Sequence, residues 1–441
     1  MADATPAPGA MRDLYDLLTG DDEARVCKDI PDEACREQPK SFFRHGLALA
    51  ATKLGDGLAD PKLVLSWLLS SLGAPGYLIG LLVPVRESLS LLPQLLVAAQ
   101  LRAFAVRKWF WVVATAVEGV ALGLMALAAL FLGGTIAGWT IILCLALFSL
   151  ARGVASIAQK DVLGKTIAKT RRGTVSGYAG TIASFGTGAF GLYLVAFSQN
   201  DDPGFFALLL TAAGALFLIA ALVFSRIEEQ PGATEGGGNA IAFTRNELAR
   251  LGDEPTFARF VAARALFVSA ALLPPYLVMA LQRAEGTGLF DLGQLILASG
   301  IAGGLSSFVW GRLADKSSRL VMMATGGLAG ATALIAGLLA LVAPAALGLP
   351  LLIPAAIFLV ALSHAGMRIG RKTYIVDFAG SDRRAGYVAL SNTLIGVVLL
   401  LSGLVGVFAE LAGIGLTFLL LAACAGLGVW LASGLPEVQA D

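Results

Sequence analysis

Along most of the chain, apolar runs of roughly 20 residues alternate with short polar connections, and that is the length a helix needs to cross a bilayer. The runs fall at about 46–71, 77–102, 108–131, 137–159, 174–198, 203–225, 257–281, 289–311, 320–343, 350–370, 387–410 and 413–434. This pattern predicts an all-α membrane protein with 12 transmembrane helices. The connections are of two kinds. One set is very short, as from Gly73 to Gly76 and from Ser198 to Pro203; the other is longer and charged.

Composition supports this reading. The 441 residues are 57% hydrophobic and 14% charged, against about 25% charged in soluble proteins. Of the 32 Lys and Arg, 20 gather in the five longer connections and six in the first 45 residues, while the short connections hold one, Arg283. That bias puts both termini in the cytoplasm and the chain in a plasma membrane, as in a bacterial inner membrane. The net charge of +1 is spread over separate connections, so no nucleic-acid partner is expected. Residues 1–45 read as a cytoplasmic N-terminal tail, with a short amphipathic helix from Met11 to Leu18 and no signal-like apolar segment. Cys27 and Cys35 in that tail lack a metal-like spacing, and Cys144 and Cys424 read as small packing residues.

The middle of the chain carries Glu-Gln-Pro-Gly-Ala-Thr-Glu-Gly-Gly-Gly, a low-complexity linker. A capping box, Thr244 with Glu247, predicts a short helix after it. The linker, 226–256, divides a six-helix bundle at 46–225 from a second at 257–434, with 435–441 as a cytoplasmic C-terminal tail. The halves repeat. Gln159-Lys160 and Arg171-Arg172 recur as Arg371-Lys372 and Arg383-Arg384, each 212 residues on. At the same offset Arg319 falls on Arg107, and His364 on Arg152.

Gly311 to Arg319 reads Gly-Arg-Leu-Ala-Asp-Lys-Ser-Ser-Arg, a charged turn between two apolar runs. With Leu72 to Leu82, it resembles the signature of the major facilitator superfamily, in which a G-x-L-a-D-r-x-x-R loop joins neighbouring spans. The resemblance covers about 46–434. It implies the major facilitator fold, two pseudo-symmetric six-helix bundles, and alternating access of a central site to the two sides. It makes Gly311, Arg312, Asp315 and Arg319 a gating loop, with Asp315 placed to meet the start of the fifth span. The first-half counterpart lacks the acid, having Ala103 and Phe104 there instead.

A charge in mid-membrane costs about 2.5–3.5 kcal/mol on insertion scales, so each one counts. Lys53, Asp56 and Asp60 stand at i, i+3 and i+7, which puts all three on one helix face, and Gly55, Gly57 and Pro61 around them make that helix irregular. Asp60, Arg86 and Glu87 read as one paired cluster near mid-depth. Asp56, Asp60 and Glu87 are the candidates for proton uptake, because burial disfavours a charged carboxylate. Glu118 stands alone in its span, which leaves it either facing a partner such as an arginine or protonated. Arg152 and His364 are cavity candidates by the family's layout. Arg86, Arg152 and Arg264 could attract an anionic substrate or hold the acids ionised. Pro274-Pro275 should break the seventh span, with Tyr276 facing the opening. Pro93-Gln94 should kink the second span and present an amide to the interior, and Ser391-Asn392-Thr393 gives the eleventh a polar face.

The chain has no G-x-x-x-x-G-K-[ST] loop, two histidines and no nucleophile grouping. An enzyme, a metal site and a cofactor are therefore not expected. The expected partners are the lipid bilayer and a small-molecule substrate, with protons as a candidate coupling ion. The expected function is secondary active transport. A rival comes from Asp60 to Lys62 and Leu72 to Pro75, which resemble a branch of the same fold that assembles pigment–protein complexes without transporting.

Overall fold

The computed structural model describes residues 15, 17–18, 30–101, 103–197, 203–232, 234, 254–283 and 288–439. Ten helices or helix pairs among them are long and apolar enough to cross a membrane. In chain order the first half comprises α1 (Asp32–Arg36), α2 (Gln38–Leu58), α3 (Val64–Ser71), α4 (Gly76–Leu91), α5 (Gln94–Leu101), α6 (Lys108–Phe131), α7 (Gly134–Thr166), α8 (Lys169–Phe197) and α9 (Pro203–Ser225). The second half comprises α10 (Pro255–Leu266), α11 (Ser269–Gln282), α12 (Leu289–Lys316), α13 (Ser318–Val342), α14 (Leu352–Phe378), α15 (Gly380–Leu401), α16 (Leu404–Ala412) and α17 (Ile414–Ser433). Large apolar side chains such as Phe131, Phe185, Leu208 and Leu411 lie exposed on the outer helix faces. A soluble protein cannot carry so much exposed apolar surface, whereas lipid tails solvate it. The chain is a multi-pass helical membrane protein.

The first two expected spans are not among the ten, because each is broken. The first divides into α2 and α3 around Ala59 to Leu63. Pro61 has no N–H to give, and Asp60 supplies a local cap: its Oδ1 accepts from the backbone N–H groups of Lys62 at 2.8 Å and Leu63 at 2.9 Å. Lys53, Asp56 and Asp60 therefore do not share one helical face. The second divides at Leu92-Pro93 into α4 and α5. There the Gln94 amide donates to the Ser90 carbonyl at 2.9 Å, so it satisfies its own helix rather than the interior.

The break expected at Pro274-Pro275 lies elsewhere. Those prolines sit inside α11, and the chain bends at Phe267-Val268, between α10 and α11. The prolines instead leave the carbonyls of Ala270 and Ala271 without helical donors.

Equivalent pairs pack in both halves: α6 on α9 as α13 on α17, α6 on α7 as α13 on α14, and α4 on α7 as α12 on α14. The charged turn is shorter than expected. Helix α12 continues to Lys316, so Gly311, Arg312 and Asp315 lie on its last turns. Ser317, not Asp315, caps α13, its Oγ accepting from the Leu320 N–H at 3.1 Å. Asp315 is exposed.

The chain also folds back onto these turns in both halves. After α9, Glu229 accepts from the Arg107 and Lys108 backbone N–H groups at 2.8 and 2.6 Å and from Lys165 Nζ at 2.7 Å. After α17, Glu437 accepts from Ser317 Oγ at 2.5 Å and lies 3.6 Å from Arg319 Nε. The acid missing from the first-half loop is thus supplied by the segment after α9, together with Asp161, which pairs with Arg107 and Lys165. Residues 30–45 are likewise not a detached tail. Gln38 accepts from the Ala168 N–H at 2.8 Å, and His45 bonds Thr166 at 2.8 Å. Cys35 is disulfide-bonded, so the cysteines are not all independent; Cys144 and Cys424 are free. Cys27 and the expected Thr244–Glu247 capping box lie outside the described residues.

Candidate functional site

A cavity of about 460 Å³ lies between the halves. The α2–α3 break and α4 form one wall, and α10, α11, α12, α14 and α15 form the other. Asp56, Asp60, Lys62, Arg86 and Glu87 line the first wall; Arg264, His364, Arg368 and Arg371 line the second. Ala270 and Ala271, whose carbonyls the prolines release, also line it.

Behind the first wall runs an ion network. Asp56 Oδ1 lies 2.7 Å from Arg152 Nη2 and 3.2 Å from Arg86 Nη2. Arg152 Nε lies 2.7 Å from Glu118 Oε1, a contact too poorly aligned to count as a hydrogen bond. Glu118 is only 1% exposed. The Arg152 guanidinium stands over the rings of Phe148 and Phe217 at 5.3 and 5.2 Å, and Arg86 over Phe148 at 4.9 Å. The arginine expected for Glu118 is therefore Arg152. It sits behind Asp56 rather than on the cavity surface. The acid that takes Arg86 is Asp56, not the expected Asp60.

The remaining candidates separate. Lys62 Nζ meets His364 Nε2 at 3.2 Å across the cavity. Arg264 is held from behind by Ser391 Oγ and by Asn392 Oδ1 at 2.9 Å, which gives the polar face of α15 its partner. Lys53 points away from the ion network. It donates to the Ser176 carbonyl at 3.0 Å and lines a smaller cavity of about 290 Å³ between α8 and α12 that shares Asp60, Leu63, Ser299 and Gly303 with the first. Tyr276 does not face the opening. It is 1% exposed, and its hydroxyl lies in the seam between the halves, 2.7 Å from where a Cβ on Gly80 would stand.

Arg368 and Arg371 also line the cavity, although the basic-residue pattern counted them with a connection. Helix α14 extends to Phe378 and carries them up the cavity wall. Their spacing from His364, four and then three residues, is the helical signal that identifies them.

The cavity is shut at one end. A Cβ on Gly80 would lie 2.6 Å from the Gly406 Cα, so the backbones of α4 and α16 touch. A Cβ on Gly293 would lie 2.7 Å from the Leu194 Cβ, so α8 and α12 also touch at that end. At the end bearing the basic connections no such contact occurs at Gly173 or Gly177 on α8 or at Gly303, Gly304 or Gly311 on α12, and Arg368, which lines the cavity there, is exposed. The cavity opens toward the basic end.

Chains of known structure share this architecture. The nucleoside transporter NupG superposes with a TM-score of 0.67 at 12% identity, covering 90% of this chain and 98% of that one. The chain has the major facilitator fold. The xylose transporter XylE from E. coli, in an inward-open conformation, shares the facilitator fold with a TM-score of 0.64 at 12% identity over 91% of this chain and 98% of that one. A POT family transporter bound to a thioalcohol-conjugated peptide gives 0.66 at 12% over 88% and 94%. No family model and no curated protein matches this facilitator-fold chain by sequence.

Proposed function

We propose that the chain is a secondary active transporter that carries a small solute by alternating access. The observation that supports this best is a charged cavity between the halves, shut at one end and open at the other. An assembly factor has no use for such a cavity and could fill it with apolar side chains; here eight charged side chains line it. The solved transporters of this fold are named for nucleoside, xylose and peptide, so solute transport is the shared theme. In this reading residues 46–225 and 257–434 are two six-helix bundles that rock about the cavity. The broken α2–α3 and α4–α5 pairs complete twelve crossings. The Lys and Arg bias puts both termini in the cytoplasm of a bacterial cell, so the cavity faces inward.

Proton coupling falls to Asp60 and Glu87. Asp56 is already tied to two arginines, whereas among the described residues no cationic nitrogen stands in ion-pair range of Glu87. Asp60→Asn and Glu87→Gln should each abolish uptake driven by a proton gradient while leaving solute exchange without a gradient intact. Gradient-driven uptake unchanged in both would remove them from coupling. Asp315 keeps its role as a gate in the opposite state: when the cytoplasmic side closes, it should approach the start of α8 near Arg172 to Thr174.

A further inference from the structure

We infer that the cavity takes a solute bearing an oxyanion, a carboxylate or a phosphate group; this rests on the transport reading and names its substrate class. Five cationic side chains line the cavity, Lys62, Arg86, Arg264, Arg368 and Arg371, against three carboxylates, Asp56, Asp60 and Glu87, an excess of two positive charges. The excess is local. Arg86 shares Asp56 with Arg152, and Arg152 also has Glu118, so the first wall, which adds Lys62 against Asp60 and Glu87, carries no positive excess of its own. On the second wall Arg264, Arg368 and Arg371 have no carboxylate within ion-pair range among the described residues. Glu87, on the opposite wall, lies in the field of Arg368, Arg371, Lys62 and Arg86 alike, so no one of them has it to itself.

Arg264 is the most telling of the three. It is 8% exposed, its two terminal nitrogens are held by the neutral Ser391 and Asn392, and its Nε, buried, has no acceptor. A buried guanidinium without a counter-charge is costly unless something supplies one. An oxyanion in the cavity would do so, and the planar fork of Arg suits carboxylate and phosphate geometry. Arg371 lies on the same wall, on the His364 face of α14, and Arg368, exposed though it lines the cavity, stands where an anion entering from the basic end would pass. The cavity volume suits a small organic anion.

The test is thermal stabilisation of the purified full chain in lipid nanodiscs by acetate, succinate, inorganic phosphate and glycerol phosphate, with xylose and uridine as neutral controls. At least one oxyanion should raise the unfolding midpoint, the neutral solutes should not, and the carboxylate and phosphate arms separate the two sources. Arg264→Gln and Arg371→Gln should each weaken that oxyanion at least about tenfold, while Lys372→Gln, outside the cavity, should leave it unchanged. If Arg264→Gln does not fold, Arg371→Gln and Arg264→Lys carry the comparison. Stabilisation by no oxyanion, equal stabilisation by neutral solutes, or affinity unchanged in the arginine variants would overturn the inference. Labelled-solute exchange in proteoliposomes distinguishes the two readings. Oxyanion binding without exchange defeats transport and leaves the anion site standing; exchange of a neutral solute that oxyanions do not inhibit defeats the anion site alone.

Discussion

Replacing Arg152 with Met should be among the most destabilising single changes in this protein, and a second change should largely repair it. Arg152 lies 2.7 Å from Glu118 and 2.7 Å from Asp56. At that separation and an effective dielectric near 20, each contact has a raw attraction of about 6 kcal/mol. Most of it offsets the desolvation of the ions, so the intact network adds little net stability. Removing the arginine is different, because the desolvation remains and the compensation is gone. Asp56 keeps Arg86 at 3.2 Å, but Glu118, almost wholly buried, keeps nothing. The expected loss is about 3–5 kcal/mol. Adding Glu118→Gln removes the stranded charge, so the double variant should recover about half of the loss or more. Glu118→Gln alone should be mild, since Arg152 still holds Asp56. The assay is reversible denaturant unfolding of the four proteins in detergent, treated as a double-mutant cycle. A single Arg152→Met variant as stable as the parent, or a double variant no better than the single, would refute the buried-network argument.

Three further changes probe other parts of the fold. Glu229→Gln weakens a carboxylate that holds two backbone N–H groups and Lys165 and should lower stability by about 1.5–3 kcal/mol in the same unfolding assay. Glu437→Gln should do less, because Glu437 is partly exposed. Gly406→Ala puts a methyl group 2.8 Å from the Tyr77 carbonyl oxygen and should pry apart the shut end of the cavity. Cysteines placed at that end should then label faster with a water-soluble maleimide; an unchanged rate would count against the seam. Cysteines replacing Asp315 and Thr174 should crosslink only in conditions that close the basic end, and failure to crosslink in any condition would remove Asp315 from the gate.

The long apolar runs made most of the helices legible, since a buried or lipid-facing helix is written directly in hydrophobicity. The broken first span was legible too, from Gly55, Gly57 and Pro61. What could not be read was its consequence. Counting from Lys53 to Asp60 at 3.6 residues per turn presumes a continuous helix, and once Asp60 caps the break the phase is lost, so Asp56 took the place given to Asp60. The Pro274-Pro275 pair misled for a related reason: α11 runs through both prolines, and the two residues whose carbonyls lose helical donors, Ala270 and Ala271, lie beside a cavity. Arg368 and Arg371 were hidden at the margin of an apolar run ending at 370, where charges read as the start of a connection, whereas α14 runs on past them. The clamps at Glu229 and Glu437 were illegible, since nothing local says where a chain returns after leaving a helix. The repeat at Arg107 and Arg319 marked the two places where such an acid was needed.

The glycine seam between α4 and α16 has a bearing on speed. Contacts between bare backbones are dispersion contacts of about 0.1–0.2 kcal/mol per atom pair, and in lipid no water stands ready to be expelled or readmitted as they part. Strong ionic pairing is kept within the first half, where Asp56, Glu118 and Arg152 stay together whatever the second half does. If the halves rock as proposed, the surfaces that must separate are joined by the weakest bonds and the strong ones lie within the part that would travel as a block, an arrangement suited to parting and rejoining many times a second.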